Sequence, residues 1–335
     1  MRRRIWMGLL LLVIVFCEAA VCLGGFRWQI KKTYPAFGSC LLSPFEGPRY
    51  FVPGLYRTIS LRLSDDRPGA VKDMDPQGLA VTKSYLLISA YSRAHQYSSV
   101  IYVLDRQTGR HLKTVVLKRA DHVGGLAYDA AHHKIWVTTR SVDRHAQLSM
   151  FSLKKLKAYR FDGANPRELI YDQVVDIGDI RGASYLACHR RSLYVGLFNR
   201  KKDSWLVRFD IRADGRLDTD YPRRHSGKHS LAVGEAQFSI EESVQGIAFY
   251  RDKILLSQSY GAKNARLLIY AAPKGALDLS KPPGKVVVAS PYMEQIAVFG
   301  NRLGVVFESG AAAYRQKPIV VVREVLQLDL EKLVR

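Results

Sequence analysis

The sequence predicts an all-β protein folded as a β-propeller, and three observations support this prediction. The first is a pair of short β-rich runs around a turn, Asp75–Val81 and Tyr85–Tyr91, that returns four more times along the chain. The second is a third run after each pair, rich in β-branched and aromatic residues and without the 3.6-residue periodicity of a helix. The third is the spacing of the copies, which sets the size of each unit.

Five copies are anchored on a residue near the start of the first run, namely Gly78, Gly125, Gly182, Gly246 and Gln295. These anchors lie 47, 57, 64 and 49 residues apart. That period is typical of a four-stranded propeller blade with its loops rather than of a helical repeat. We therefore predict five four-stranded blades, with six as the alternative if residues 43–63 or 212–240 hold another unit.

Each unit is expected to supply four strands, counted outward from the axis. Glycine and alanine at the start of a unit suit the innermost strand, where the blades converge and bulky side chains would collide. The third strands are predicted at Val100–Leu104, Gln147–Phe151, Trp205–Phe209, Arg266–Tyr270 and Ile319–Val322. Turns such as Asp105–Gly109 then lead to outer strands such as Lys113–Leu117.

The ring needs a closing strand, because the last unit has no clear outer strand apart from the short run Val325–Leu328. The segment Tyr56–Leu63 alternates polar and apolar residues and precedes the first inner strand. We therefore predict that this segment closes the ring beside the last blade.

Residues 1–26 differ from the rest and are predicted to be a signal peptide or a membrane anchor. Three arginines precede thirteen uncharged residues, Ile5–Cys17, and a further stretch of mostly small, apolar residues. The uncharged core has the length of a signal peptide, whereas residues 5–26 together are long enough to span a bilayer as a helix. Both alternatives stay open, and both place the protein outside the cytoplasm. Residues 27–54 are then a lead-in segment, and residues 55–335 are the propeller domain.

The chain is strongly basic, with a formal net charge of +21. Residues 1–26 hold three of its arginines and one of its acidic residues, so the remainder carries +19. Such a charge favours polyanionic partners, which outside a cell are anionic cell-wall polymers or lipid head groups, although it also serves general solubility. No nucleic-acid-binding motif accompanies the basic residues.

Two cysteines, Cys40 and Cys188, lie beyond the N-terminal segment, and whether they pair is left open. The chain has no CxxC motif and no Cys/His spacing of a zinc site. It also lacks the GxSxG, HExxH, GxGxxG and Walker patterns. We therefore predict no catalytic residues, no metal site and no cofactor.

Two groups of bacterial and related propellers share features with these repeats. The inner runs Gln77–Ala80 and His122–Asp129, with the turn Asp105–Gly109, resemble propellers of the YVTN type and of the gluconolactonase and strictosidine-synthase-like type. The second resemblance implies a divalent metal such as calcium, held on the axis by Glu, Asn and Asp from separate blades. Glu294 and Asn199 stand at suitable positions, but Gln77 replaces the Glu that opens the pattern, and no Asp matches.

Propeller geometry predicts where a site would lie. The loops that enter each innermost strand and leave the second strand open on one face around the axis. The polar residues expected there are Gln77, His122, Arg181, Gln245 and Glu294 from the entering loops, and Ser92, Arg140, Asn199, Tyr260 and Glu308 from the leaving loops. In this ring Arg140 and Arg181 would oppose Glu294 and Glu308, and the ring would hold a small polar or anionic ligand.

The sequence thus predicts an exported or membrane-anchored propeller that acts as a non-catalytic binding module. One alternative is a lactonase-like or esterase-type hydrolase that uses axial residues and a metal. Another is an assembly scaffold without a small ligand. The sequence names no ligand, pathway or protein partner.

Overall fold

A computed structural model describes residues 25–162, 166–178, 181–200, 204–219, 230–273 and 277–335, which form a five-bladed β-propeller. The five innermost strands lie side by side around one axis. The predicted all-β class and five blades are confirmed. The described parts of residues 43–63 and 212–240 do not form a sixth blade: they add outer strands to the five blades, and residues 58–61 belong to a separate two-stranded sheet.

The strands of the first two blades, from the axis outward, follow the predicted repeat closely. Blade 1 contains β4 (Met74–Val81), β5 (Tyr85–Ser92), β6 (Val100–Asp105) and β7 (His111–Val116). Blade 2 contains β8 (Leu126–Asp129), β9 (Lys134–Arg140), β10 (Ala146–Ser152), β11 (Gln173–Ile177) and β15 (Ser230–Ala232). Strand β15 runs parallel to β11, so blade 2 has a fifth strand at its outer edge.

Blades 3, 4 and 5 each have four strands, and the last one borrows its outer strand from the start of the chain. Blade 3 contains β12 (Tyr185–His189), β13 (Ser192–Gly196), β14 (Ser204–Asp210) and β16 (Ala236–Ile240). Blade 4 contains β17 (Val244–Tyr250), β18 (Lys253–Gln258), β19 (Ala265–Ala271) and β20 (Lys285–Ala289). Blade 5 contains β21 (Met293–Phe299), β22 (Arg302–Phe307), β23 (Glu324–Asp329) and β1 (Tyr50–Phe51).

Two predictions about blade 5 are wrong. Its third strand is β23 rather than Ile319–Val322, and its closing strand is β1 rather than Tyr56–Leu63. Part of the latter segment is a strand, β2 (Thr58–Leu61), but it pairs with β3 (Pro68–Val71) beside blade 1. It does so because a tight turn follows it, in which the Arg62 amide donates to the Arg67 carbonyl at 2.9 Å.

The helices lie at the margins of the propeller. They are α1, which includes residues 25–33, α2 (Pro35–Cys40), α3 (Leu153–Ala158) and α4 (Leu330–Val334). Helices α1, α2 and α4 cover blades 4 and 5, since Ile30, Phe37 and Leu333 are buried in one core with Leu267 and Leu328.

The N-terminal predictions fall largely outside the described residues, which begin at 25. No described helix has both the length and the apolar character needed to cross a membrane. Cys40 is buried among the helices and Cys188 is half-buried in blade 3, and both thiols are free.

The register of the innermost strands is fixed by Gln295. Its Nε2 lies 3.0, 2.6 and 3.0 Å from the backbone carbonyl oxygens of Leu79, Leu126 and Leu186, which share its two hydrogens. These three leucines are therefore equivalent, and the residue before each is Gly78, Gly125 and Tyr185. The third anchor is thus Tyr185 rather than the predicted Gly182, so the repeat anchors lie 47, 60, 61 and 49 residues apart.

Blade 3 tolerates a tyrosine at this crowded position because the residue opposite it on the second strand has no side chain. In blades 1 and 2 the anchor glycine donates its amide to a hydroxyl on the second strand, Ser89 or Thr138, at 2.9 Å. In blade 3 the residue opposite Tyr185 is Gly196. A Cβ on Gly196 would lie 1.8 Å from the Tyr185 ring. The large and small residues have thus exchanged strands, which keeps the pair within the same space.

Candidate functional site

The predicted polar ring gathers its acidic members on one side of the loop face, where blades 5 and 1 meet. Gln77 belongs to β4, Glu294 to β21, and Glu308 follows β22 directly. Gln77 is 2 %, Glu294 4 % and Glu308 9 % exposed. Gln77 Nε2 donates to Glu308 Oε2 at 3.2 Å, and Gln245 Nε2 donates to Glu294 Oε1 at 3.3 Å. The structure therefore brings these four predicted residues together.

A third carboxyl group, which the sequence analysis did not select, joins this cluster. Asp75 on β4 is fully buried, and its Oδ2 accepts from Arg93 Nη1 at 2.9 Å. Its Oδ1 is buried without a hydrogen-bond donor among the described residues. Arg93 also donates to the Tyr314 hydroxyl, and its guanidinium lies 4.8 Å from the centre of the Tyr314 ring. We call Asp75, Glu294 and Glu308 the acidic cluster.

The buried carboxyl groups hold their protons more tightly than usual. Burial, and then the negative charge of Asp75, raises the pKa of Glu308 to about 8, although its bond with Gln77 opposes the shift. Burial raises the pKa of Glu294 well above its ordinary value, and the charges of Glu308 and Asp75 add to the effect. Burial also raises the pKa of Asp75 to about 6, with Arg93 limiting the rise. At neutral pH the cluster therefore carries less than its full negative charge.

Two predicted arginines lie on the other side of the ring. Arg140 ends β9 and Arg181 precedes β12, and both are exposed. Neither guanidinium forms a hydrogen bond or ion pair with the described residues, and Glu294 is bonded to Gln245 rather than to Arg181. Arg140 lies close to the start of blade 3, since its Nη2 is 3.7 Å from where a Cβ on Gly182 would be. These two cations therefore belong to blades 2 and 3, away from the acidic cluster on blades 5 and 1.

His122 precedes β8, the innermost strand of blade 2. Its side chain is exposed, and its ring packs on Tyr91 with ring centres 4.5 Å apart. Desolvation by the surrounding protein, with the positive charges of Arg140, His95 and Arg93, lowers the pKa of His122 below its ordinary value. The imidazole is therefore neutral at pH 7.

The remaining predicted residues bond away from the acidic cluster. The Tyr260 hydroxyl accepts from Arg200 Nη1 at 2.7 Å, at the rim between blades 3 and 4. The Asn199 backbone carbonyl accepts from the Ser243 amide at 2.7 Å, and its side chain is half-buried. Ser92 donates to Asp73 at 3.1 Å. Tyr260 and Asn199 therefore lie at the rim, whereas Ser92 is fully buried.

The floor of the mouth is Gln295. Besides its three donated bonds, its Oε1 accepts from the Leu126 amide at 2.9 Å, so the side chain lies across the axis. Beyond it, towards the opposite face, is a separate cavity of about 190 Å³. The residues that line its walls include the equivalent alanines of all five blades, Ala80, Ala127, Ala187, Ala248 and Ala297. A ligand in the polar mouth would therefore enter from the loop face.

The axial metal implied by the gluconolactonase resemblance does not fit the described residues. Among them, no three His, Cys, Asp or Glu side chains are placed to hold an ion together. Glu294 is bonded to Gln245, and Asn199 lies on the rim with its carbonyl bonded to Ser243. That no cofactor is needed stays a prediction.

Comparisons with known proteins reach only as far as the fold. No protein-family model matches the sequence, and no curated protein matches it. Solved structures do match. The glutaminyl cyclase of Myxococcus xanthus is 13 % identical, with a TM-score of 0.45 over 77 % of this chain and 91 % of that one.

Two further structures are similarly distant. The WD40 repeats of RRP9 are 12 % identical, with a TM-score of 0.41 over 74 % of this chain and 78 % of that one. U3-55K is 12 % identical, with a TM-score of 0.39 over 69 % and 74 % of the two chains. Likenesses this low carry no information about activity, and the propeller rests on its own strand pairing.

Proposed function

We propose that this protein is a non-catalytic binding module that takes a small polar ligand in the loop-face mouth of its axial channel. The observation that carries the proposal is the acidic cluster, in which only Asp75 has a cationic partner among the described residues. Burying carboxyl groups that have amide donors but no cationic partner, as Glu308 and Glu294 do, lowers the stability of a fold. Perturbed groups of this kind are concentrated at functional sites. A ligand that donates hydrogen bonds or carries positive charge would supply the missing partners.

The resemblance of the repeats to YVTN-type and gluconolactonase-type propellers supports an interaction role without naming a ligand. In such a role the propeller serves as a rigid frame, and its loops supply the contacts with the bound partner. Polar side chains directly before the anchors of blades 1, 4 and 5, namely Gln77, Gln245 and Glu294, support a polar mouth.

The acidic cluster predicts how binding responds to a substitution and to pH. We expect Glu308→Gln to weaken the binding of a donor ligand about tenfold, the loss of one charge-assisted hydrogen bond. Affinity for the original protein should rise between about pH 6 and pH 8, because deprotonated carboxyl groups accept more strongly. The measurement is isothermal titration calorimetry after a thermal-shift screen of small amines, amino acids, amides and sugars.

The control is Glu331→Gln, which removes a carboxyl group from an exposed pair with Arg251 far from the mouth. The pH dependence of stability tests separately whether Glu308 is buried. Its pKa of about 8 exceeds the ordinary 4.5, so its stabilising contribution is full below pH 4.5 and is lost as pH rises through 8. The stability of Glu308→Gln should fall less over that interval. If none of these compounds binds at any pH, the axial binding function is wrong.

A second candidate function is hydrolysis of a lactone or ester. It is favoured by one observation, the presence of two buried carboxyl groups, Asp75 and Glu308, in one cluster, with the Oδ1 of Asp75 lacking a donor among the described residues. Burial raises the pKa of Asp75 to about 6 and that of Glu308 to about 8. A pair of this kind can act as general base and general acid. Turnover of a lactone that is lost in Glu308→Gln and kept in Glu331→Gln would favour this candidate over simple binding.

We also propose that the protein works outside the cytoplasm, anchored by residues 1–26 or released after their cleavage, near an anionic wall polymer or lipid surface. The net charge of +19 beyond that segment supports this. Binding to vesicles containing anionic phospholipid should weaken steeply as salt shortens the screening length below about 8 Å. Binding that is equal at low and high salt, or equal to neutral vesicles, would argue against an electrostatic partner.

A further inference from the structure

On the face opposite the mouth, a cavity of about 480 Å³ lies between blades 5 and 1. The described residues that line it include three with positive charge, Lys83, Arg106 and Arg302, and none with negative charge. We infer that this cavity is a binding site for a phosphate group. The inference is independent of the axial binding function, and it names a place of contact for the proposed anionic partner.

The three cations come from three separate turns. Lys83 lies in the turn between β4 and β5, Arg106 lies in the turn between β6 and β7, and Arg302 begins β22 directly after the turn from β21. The loops of the mouth join these strands at their other ends. The cavity is therefore on the other side of the propeller from the acidic cluster, and only the fold brings its cations together.

Phe299, which also lines the cavity, places the two arginines side by side. The Arg106 guanidinium lies 5.7 Å from the centre of the Phe299 ring. Arg302 is the cross-strand partner of Phe299 at the end of the β21–β22 hairpin. The Tyr50 ring packs on the same phenylalanine with ring centres 6.5 Å apart, and its hydroxyl donates to the Arg106 carbonyl at 2.6 Å. These contacts and the shared cavity make the two arginines part of one site.

Neutral acceptors hold both guanidinium groups in place. Arg106 Nη1 donates to two backbone carbonyls of the β4–β5 turn at 3.2 and 3.3 Å. Arg302 Nη1 donates to Gln327 Oε1 at 2.9 Å, and its Nη2 donates to the Glu46 carbonyl at 2.8 Å. Both arginines are half-buried, and neither they nor Lys83 form an ion pair with a described carboxylate. Partly buried charges that lack a counter-charge are unfavourable, and a bound anion would supply one.

The acidic residues beside these arginines use their carboxylates elsewhere. Asp105 Oδ1 accepts from two amides of its own turn at 3.0 and 2.8 Å. The Glu46 carboxylate accepts from the Ser43 amide. Asp329, which faces Arg302 across the β22–β23 pair, accepts from an amide of α4 at 3.2 Å. The charge of the cavity is therefore left for a ligand.

The chemistry of the cavity favours phosphate over carboxylate. Guanidinium forks bind both groups through parallel hydrogen bonds, and a lysine adds a compact charge of the kind that contacts phosphate. A phosphomonoester carries about two negative charges at neutral pH and three acceptor oxygens, whereas a carboxylate carries one charge and two oxygens. Three cations around one cavity match the phosphomonoester better. A lipid head group and a soluble phosphomonoester both present this group.

The test measures binding of three probes to the full chain. Glycerol 3-phosphate and glycerate are titrated by calorimetry, and vesicles of phosphatidylcholine with and without phosphatidic acid are compared by sedimentation, so that only the effect of the phosphate group is counted. We expect glycerol 3-phosphate or phosphatidic acid to bind, and glycerate to bind at least about tenfold more weakly than the better of them.

Two variants locate the binding in the cavity. Lys83→Gln removes one charge from an exposed side chain that forms no hydrogen bond with the described residues, so the fold should be kept and binding should weaken about tenfold. Arg106→Lys keeps the charge but loses the fork, and we expect a similar loss. The control Lys154→Gln removes the same charge as Lys83→Gln from an exposed lysine of α3, which does not line the cavity, and should change binding less than about twofold.

The outcomes identify the source of the phosphate or overturn the site. Loss of glycerol 3-phosphate binding in both variants would indicate a soluble phosphomonoester, and loss confined to phosphatidic acid vesicles would indicate a lipid head group. Equal effects of Lys83→Gln and Lys154→Gln would mean that charge acts over the whole surface and that the cavity is not the site. Glycerate that binds as tightly as glycerol 3-phosphate, or no binding of any probe, would also show the inference to be wrong, while the axial function is decided by its own ligands.

Discussion

Replacement of Gln295 by leucine is expected to lower the free energy of unfolding by about 4 kcal/mol or more. The side chain satisfies the carbonyls of Leu79, Leu126 and Leu186 and the amide of Leu126, and it is 2 % exposed. Each buried group left without a partner costs about 1–3 kcal/mol. Four such groups on three different blades would be left at once. Chemical denaturation followed by circular dichroism measures the loss.

Two further variants show whether the loss comes from this bonding rather than from any buried glutamine. Gln295→Glu keeps the shape, but a carboxylate cannot donate to three carbonyls, so it should be at least as damaging. Gln327→Leu removes a glutamine that is 7 % exposed and whose side chain bonds, among the described residues, to Arg302 and the Pro48 carbonyl. We expect it to cost about 1–2 kcal/mol. Equal losses in Gln295→Leu and Gln327→Leu would show that the axial bonds do not hold the blades together.

The propeller could be predicted because the physics of the inner strands repeats. Small residues recur where five strands converge, and four of the five anchors, Gly78, Gly125, Gly246 and Gln295, are correct. The anchor of blade 3 was missed because the large residue Tyr185 stands where blades 1, 2 and 4 have glycine, and the compensating Gly196 is eleven residues later in the sequence. The two positions share one space, so a large residue on one strand is matched by a small residue on its neighbour. Such a match cannot be recognised from the sequence of one strand alone.

The closing strand could not be predicted for a different reason. Tyr50–Phe51 is only two residues long and has no alternation to mark it. The alternating segment Thr58–Leu61 is a true strand, but alternation specifies which face is buried and not which partner it pairs with. Its partner was set by the tight turn between Arg62 and Arg67.

In the site, too, residues at positions set by the blade repeat could be predicted, whereas residues outside those positions could not. Loop geometry placed Gln77, Gln245 and Glu294 together because each stands directly before the anchor of its blade, and it placed Glu308 beside them because this residue directly follows the second strand of blade 5. Asp75 was passed over as the start of a strand, although its position two residues before Gln77 was a usable signal. Tyr314 lies in the irregular connection between β22 and β23, where no repeat exists to place it.

The closing strand and the N-terminal helix are joined to blade 5 by one buried carboxylate. Glu324 is 1 % exposed and begins β23. Its Oε1 accepts from Arg27 Nε at 2.8 Å, and its Oε2 accepts from Arg49 Nε at 2.7 Å. Arg27 belongs to α1, and Arg49 immediately precedes β1. Glu324 therefore links the two segments that precede blade 1 to the blade that ends the ring.

Glu324→Gln is expected to lower the free energy of unfolding by about 3 kcal/mol. Removing one partner from a buried ion pair leaves its other charge uncompensated, which costs about 3–5 kcal/mol, and the amide of glutamine retains part of the hydrogen bonding. The control is Glu331→Gln in the exposed pair with Arg251, which should cost less than about 1 kcal/mol.

Hydrogen exchange of the Tyr50–Phe51 amides should rise in Glu324→Gln before that of the inner strands, because the closing strand loses its anchor. If Arg27→Met is added, part of the loss should be recovered, since one of the two uncompensated charges is removed. Equal effects of Glu324→Gln and Glu331→Gln would mean that the ring is held shut by the apolar packing of α1 and α2 on blades 4 and 5, and not by this carboxylate.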